Sequence, residues 1–200
     1  MKKMLILVLT LALTLGVCSQ ALAADKYTIA LIAPFTGDNA QYGEAYKTGL
    51  QVLCDEVNAD GGINGAELTF ETFDDASDAA QSTNMAQIVT SDEKYIAAIG
   101  SYTSTCALAF GSIFDEAKMP VMVPNAGNSM IATDYTYTFQ RGMTIPIESA
   151  LMARYAVQKL DCKRVAFLAL NNDAGLQFME NAVKAVSYTH LRAHETSAHL

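Results

Sequence analysis

The sequence predicts an α/β fold, a parallel sheet with helices on both faces, and three observations predict it. Short apolar runs, almost unbroken by polar residues, recur along the chain, as strands buried on both faces require. Longer stretches of helical periodicity separate them. Gly, Pro, Asn or Asp stands at the end of each run, where a strand must give way to a turn.

The elements follow in order. Tyr27 to Phe35 is the first strand, closed by Pro34 and Gly37. Gln41 to Asn58 repeats apolar or aromatic side chains at Tyr42, Ala45, Tyr46, Leu50, Leu53 and Val57, a helix that Asp60-Gly61-Gly62 stops. Glu67 to Phe73 alternates as a second strand. Ser77 to Ser91 is a second helix, with Ser77 or Asp75 as its N-cap. Tyr95 to Gly100 is a third strand, followed by the hydroxyl cluster Ser101-Tyr102-Thr103-Ser104-Thr105 and a helix through Ala117. Pro120 to Pro124 is a fourth strand, Tyr135 to Arg141 has β character, Ile147 to Leu160 is helical, and Arg164 to Leu170 reads as another buried strand. The alternation β-α-β-α-β-α-β over the first seven elements implies the parallel sheet.

The 200 residues suffice for one sizeable domain, or for one domain and part of another. A 51% apolar and 17% charged composition is that of a globular chain. The formal charge of −8 is scattered and disfavours nucleic acid as a partner. Lys2 and Lys3, the apolar stretch Leu5 to Leu15 and the small residues of Ala21-Leu22-Ala23 make residues 1–23 an export signal cut before Ala24. The stretch is short for a membrane span. Leu15-Gly16-Val17-Cys18 offers the alternative of a lipid anchor on Cys18. Both readings place the mature protein outside the cytoplasm, in the periplasm or on the extracellular face of the membrane. Beyond Cys18, the cysteines Cys54, Cys106 and Cys162 are odd in number and lack metal-like spacing. Cys54, with Leu50, Leu53 and Val57, reads as a small buried hydrophobe, and a Cys54–Cys106 bridge stays open.

Val186 to Thr196 back-translates in frame to a transposase-type sequencing-library adapter, and all three histidines, His190, His194 and His199, lie in the final eleven residues. The expectation is a native sequence ending near Ala185, with residues 186–200 an adapter artefact.

In open parallel sheets ligands bind outside the carboxyl ends of the strands. The richest such end is Ser101 to Thr105. Hydroxyls and free amide N–H groups at a strand-to-helix turn make an anion site that the helix dipole strengthens, although Ser104 or Thr105 could simply cap the helix. At the neighbouring end, carbonyls of Asn125-Ala126-Gly127-Asn128 could accept from a ligand ammonium, or form only a turn. Tyr42 covers a ligand or packs. Asp74 and Asp75, adjacent on a strand, point to opposite faces and so form no acid–base dyad; capping or a surface role suits them. No catalytic residue is expected, since without a histidine before residue 190 no Ser-His or Cys-His couple can form. Gly61-Gly62-Ile63-Asn64-Gly65 lacks the Lys-Ser/Thr of a phosphate loop, and neither cofactor nor metal is expected.

The blocks IALIAPFTGDNAQYGE, EVNADGGINGAEL, FDDASDAAQ, IAAIGSYTSTCALA and MPVMVPNAGN resemble the type I periplasmic binding proteins of the leucine/isoleucine/valine class, over residues 27 to 185. The resemblance implies two Rossmann-like lobes joined by hinge strands and closing on a ligand. Residues 24–145 would be lobe one with a hinge crossing, and 146–185 the start of an incomplete lobe two. It implies an extracytoplasmic solute-binding protein that hands an amino acid, branched-chain by default, to the membrane permease of an ABC transporter. A ligand-sensing domain of a signalling receptor is the alternative. Together with the strand-end reading this gives the candidate ligand-binding set Tyr42, Tyr102, Thr103, Ser104, Thr105, Asn125, Ala126 and Gly127. Within it, Ser104 matches a serine that binds the ligand carboxylate beside the Thr105 amide, and Ala126 matches a carbonyl that receives the ammonium. Gly127 stands where a hydroxyl residue is common, and Ala174 where a ligand-covering tyrosine is common. Ser77 and Thr103 occupy the class's disulfide positions, so that bridge is absent.

Overall fold

A computed structural model describes residues 26–187. The expected export signal, the Cys18 lipid site and the tail beyond Ser187 lie outside the described residues.

Five strands form one parallel sheet: β1 (Lys26–Ala33), β2 (Glu67–Asp74), β3 (Tyr95–Ile99), β4 (Val121–Val123) and β5 (Thr138–Gln140), in the order β2-β1-β3-β4-β5. The helices are α1 (Ala40–Ala59), α2 (Ala79–Thr90), α3 (Ser104–Ala117), the short α4 (Met130–Thr133), α5 (Ile145–Gln158) and α6 (Asp173–Ser187). Strand β1 is central and shows why its sequence is unbroken. Ala30 and Ile32 pack into a cluster with Ala86 and Val89 of α2 and with Ala107, Phe110 and Phe114 of α3. Their neighbours Leu31 and Ala33 face the other way, onto Leu50 and Cys54 of α1 and Leu68 of β2. Period-two alternation therefore feeds two cores, and both faces must be apolar. Because α1 lies on one face and α2 and α3 on the other, the chain reverses its winding between β1 and β3, the topological switch point of this strand order.

Local chemistry places the helix starts. Asp78 caps α2, its carboxylate accepting from the Gln81 N–H at 2.8 Å. This corrects the expected cap at Ser77 or Asp75: Ser77 has a left-handed φ of 60°, and Asp75 is fully buried. Thr103, rather than Ser104 or Thr105, caps α3 from an extended backbone, accepting from the Cys106 N–H at 3.3 Å. Helix α5 begins at Ile145 with Pro146 in its first turn, where no amide partner is lost.

Three further expectations need correction. Leu53 is 47% exposed, so the buried stripe of α1 is Gly43, Leu50 and Cys54. Cys54 and Cys106 sit on helices that cover opposite faces of the sheet, and both are free thiols. Arg164 to Leu170 is irregular, with Leu168 89% and Leu170 77% exposed. Its apolar run suits a strand, but among the described residues no strand pairs with it, and an unpaired strand leaves its amides unsatisfied. Among the described residues no helix is long and apolar enough to cross a membrane.

Candidate ligand-binding site

The loops after β1 and β3 meet at the switch point, and tyrosines mark the junction. Tyr42, in the first turn of α1, stacks on Tyr102 of the β3–α3 loop with centroids 3.9 Å apart and planes 12° from parallel. Burial, followed by the adjoining Tyr42 phenol, pushes the Tyr102 phenol up to about 12. Tyr46, one turn further along α1, holds its hydroxyl buried with no partner among the described residues, and burial followed by the nearby Tyr102 raises it to about 12. A buried hydroxyl without a partner is rare. Here it lies beside the ring pair, at the rim where this topology binds ligands.

Two carboxylates brace the loops. Asp74 accepts from the Phe35 N–H at 2.8 Å, the Thr36 hydroxyl at 2.7 Å and the Ala76 N–H at 2.9 Å, tying the β1 loop to the end of β2. Burial raises Asp74, but these bonds together outweigh it and hold the carboxyl below its ordinary value. Asp75 is buried rather than at the surface. It accepts from the Ser101 hydroxyl, the Ser77 N–H at 3.0 Å and the Ser82 hydroxyl at 3.4 Å. Among the described residues no cation joins this cluster, and burial leaves Asp75 above its ordinary value despite the three donors. Ser101, itself fully buried, thereby anchors the loop that carries Tyr102 to Thr105.

The sequence-predicted residues divide. Tyr42, Tyr102, Thr103, Ser104 and Thr105 converge at the β1–β3 junction and the start of α3, and Asn125, Ala126 and Gly127 lie at the end of β4. Several are already engaged. The Ser104 hydroxyl is buried and accepts from the Asn128 N–H at 3.3 Å. The Ala126 carbonyl accepts from Gln140 Nε2 at 2.6 Å, and the Gly127 carbonyl from the Ile145 N–H at 2.7 Å. Thr105 donates its hydroxyl to Asp173 at the start of α6, at 2.7 Å. Gln177 of α6 reaches the same rim, donating to Asn128 Oδ1 at 3.1 Å and accepting from the Ser129 N–H at 3.0 Å. Helix α6 is thus held against the carboxyl ends of the sheet.

Two cavities open beside these contacts, and Ile145 lines both. One, of about 330 Å³, is apolar and includes Leu168, Leu170, Ala174 and Phe178. The other, of about 370 Å³, is polar and includes Asn125, Gly127, Arg141 and Glu148. Both volumes suit a small molecule. Asp75, Tyr46, Gln140, Arg141, Glu148 and Gln177 were absent from the sequence-predicted set. Arg141 was within reach, since it ends a predicted β segment and strand ends are where ligands bind. Among the described residues no group of three or more His, Cys, Asp or Glu side chains converges as a metal site.

Comparison with known proteins agrees with this fold. A family model described as periplasmic binding protein matches residues 26–194. The "Leu/Ile/Val-binding protein BraC3" of Rhizobium johnstonii is 32% identical over 176 residues, covering 84% of this chain and 45% of that protein. An "amino acid binding protein" of Pseudomonas aeruginosa is 28% identical over 164 residues, covering 82% and 43%. The chain therefore spans less than half the length of these relatives. Among solved structures, the leucine-binding protein LivK of Thermotoga maritima superimposes with a TM-score of 0.76 at 24% identity, over 84% of this chain and 47% of that one. A solute-binding protein of an ABC transporter from Rhodopseudomonas palustris, in complex with p-hydroxybenzoic acid, superimposes with a TM-score of 0.77 at 25% identity, over 84% and 45%. On the match across most of its length, and with the fold and rim just described, the chain belongs to the periplasmic binding protein family.

Proposed function

We propose that this protein captures a small carboxylate-bearing solute, an amino acid first of all, outside the cytoplasm and passes it to the permease of an ABC transporter. The observation that carries the reading is the switch point itself. There the stacked Tyr42 and Tyr102, the partnerless Tyr46 hydroxyl and the first turn of α3 share one rim, under a helix that bridges to it from the other side. Amide N–H groups at the start of α3 favour a carboxylate, and the rings supply an apolar platform. The names of the relatives support an amino acid, and residues 1–23 supply the export signal this location needs. The tyrosine pair also favours a second ligand class, the aromatic acids, because a planar ring stacks well on it, and a structural relative holds one.

Calorimetric titration of the purified protein with leucine, isoleucine, valine and 4-hydroxybenzoate tests the proposal. Saturable binding of one of them at micromolar to millimolar concentration is expected, and heat-silent titrations with all four would remove it. Ser104→Ala should weaken the ligand found by about 1–3 kcal/mol, both by loss of a donor to the carboxylate and by release of the Asn128 loop. An unchanged affinity would remove Ser104 from the site.

A further inference from the structure

A carboxylate from the chain itself already sits at the start of α3. Asp173 Oδ2 accepts from the hydroxyl of Thr105, the second residue of that helix, at 2.7 Å. The two residues are 68 positions apart, so the bond is made by the packing of α6 on the rim and not by a local turn. Helix capping does not account for it. Asn172 performs that task for α6, its Oδ1 accepting from the Gly175 N–H at 2.9 Å, and the neighbouring Asp173 carboxylate is left to reach across to α3. An ion pair does not account for it either, since Asp173 forms none among the described residues. A second clasp holds the same face of α6. Gln177, four residues on and therefore beside Asp173 on the helix surface, donates to Asn128 Oδ1 at 3.1 Å and accepts from the Ser129 N–H at 3.0 Å.

We propose that Asp173 is a tethered competitor: in the empty protein its carboxylate holds the anion seat at the start of α3, and an acidic solute binds by exchanging places with it. The inference rests on the capture reading above and adds a means of regulating that site. A helix start favours one anion, and here the chain supplies it. Two carboxylates share such a seat poorly, because like charges brought together are costly. Apparent affinity then falls with the fraction of molecules whose seat is open, so a seat held by Asp173 about nine times in ten weakens an acid about tenfold. A solute without a negative charge escapes this competition. Asp173 has a local rationale too, because an anion in the first turn of α6 complements the helix dipole. That role changes melting temperature and does not distinguish an acid from its amide, so the two are separable.

The test uses the purified protein with Asp173→Ala and Asp173→Asn. Leucine, isoleucine, valine and 4-hydroxybenzoate are titrated by calorimetry into all three proteins, and the acid that binds most tightly is compared with its primary amide. Asp173→Ala should tighten the acid by about tenfold and leave the amide's affinity, or its failure to bind, unchanged. Asp173→Asn keeps an acceptor for Thr105 and removes the charge, so it should tighten the acid as well, and it carries the test alone if the alanine variant does not fold. Binding that appears only in the variants is the extreme form of the same result. Acid affinity that is unchanged or weaker in either folded variant would overturn the inference and leave solute capture intact, as would equal tightening of acid and amide. If none of the four acids binds any of the three proteins, the capture reading falls and this inference with it.

Discussion

Asp74 and Asp75 are consecutive residues that titrate in opposite directions. The Asp75 carboxyl is raised, so the folded protein holds its proton more tightly than the unfolded chain does. Its contribution to stability is present below the ordinary carboxyl value of about 4 and is lost as pH rises through the elevated folded value. Asp74 is lowered, so its contribution is present above the ordinary value and is lost as pH falls through the depressed one. Urea denaturation from about pH 3 to pH 7 should therefore show a steeper loss of stability toward acid in Asp75→Asn than in wild type, because only the Asp74 slope remains. A parallel pair of curves would show that Asp75 keeps an ordinary pKa. Asp75→Ala leaves the Ser101 and Ser82 hydroxyls and the Ser77 N–H without their acceptor, and should cost about 1–3 kcal/mol by chemical denaturation. The sequence could show that these two aspartates point to different faces. It could not show that one face at that height is solvent-poor core, because burial of β2 is set by strands far away in sequence.

Among the elements, α1 and α3 have starts that can be tested separately. Thr103→Ala removes the cap of α3 and should cost about 1 kcal/mol, read as a shift in the denaturation midpoint without a change in slope. Gly43 is a matter of space. A Cβ placed there would stand 1.9 Å from the Pro34 carbonyl oxygen, so α1 enters close against the end of β1 only because the residue has no side chain. Gly43→Ala should cost at least the 1–3 kcal/mol typical of overpacking and displace Tyr42 from its stack, seen as a loss of tyrosine near-ultraviolet dichroism. These starts also measure how far the sequence reached. The first four strands and first three helices were legible because each carries its own periodicity and its own stop. Arg164 to Leu170 carried an equally clear strand signal and did not become one. Strand formation depends on a neighbour's amides, which no local pattern encodes. Arg141 and Glu148 were overlooked for a related reason: each looks like an ordinary surface charge until the chain places both around one cavity.

At the scale of the molecule, residues 26–140 form a sheet covered by α2 and α3 on one face and by α1 over β1 and β2 on the other, with Ile96, Met122 and Phe139 exposed, whereas α5 and α6 pack chiefly on one another. Their links to the sheet run through Thr105–Asp173, Gln177 with Asn128 and Ser129, and the Ile145–Gly127 backbone bond. Leu151, Met152, Tyr155 and Leu176 remain more than half exposed on this pair. Hydrogen exchange on the 200-residue chain should therefore find the α5 and α6 amides opening well before those of β1 and β3. Uniform protection across both parts would show that the two are more tightly joined than these few contacts suggest. A bound ligand at about 100 times its Kd adds about 2.7 kcal/mol to the folded state, and a site between the rim and α6 should slow the exchange of α6 selectively.

All five strands run the same way, and every loop named as a candidate ligand contact leaves from one end of them. The residues proposed to decide what is bound are thereby kept apart from those that build the core. A saturation-mutagenesis map should split along that line. Substitutions at Ala30, Leu31, Ile32 and Phe110 would abolish soluble protein, while those at Thr105 and Asn125 would leave its yield alone and redirect its appetite. A scaffold divided in this way can change diet by a few point mutations without passing through an unfolded ancestor, a historical freedom that follows from strand direction alone.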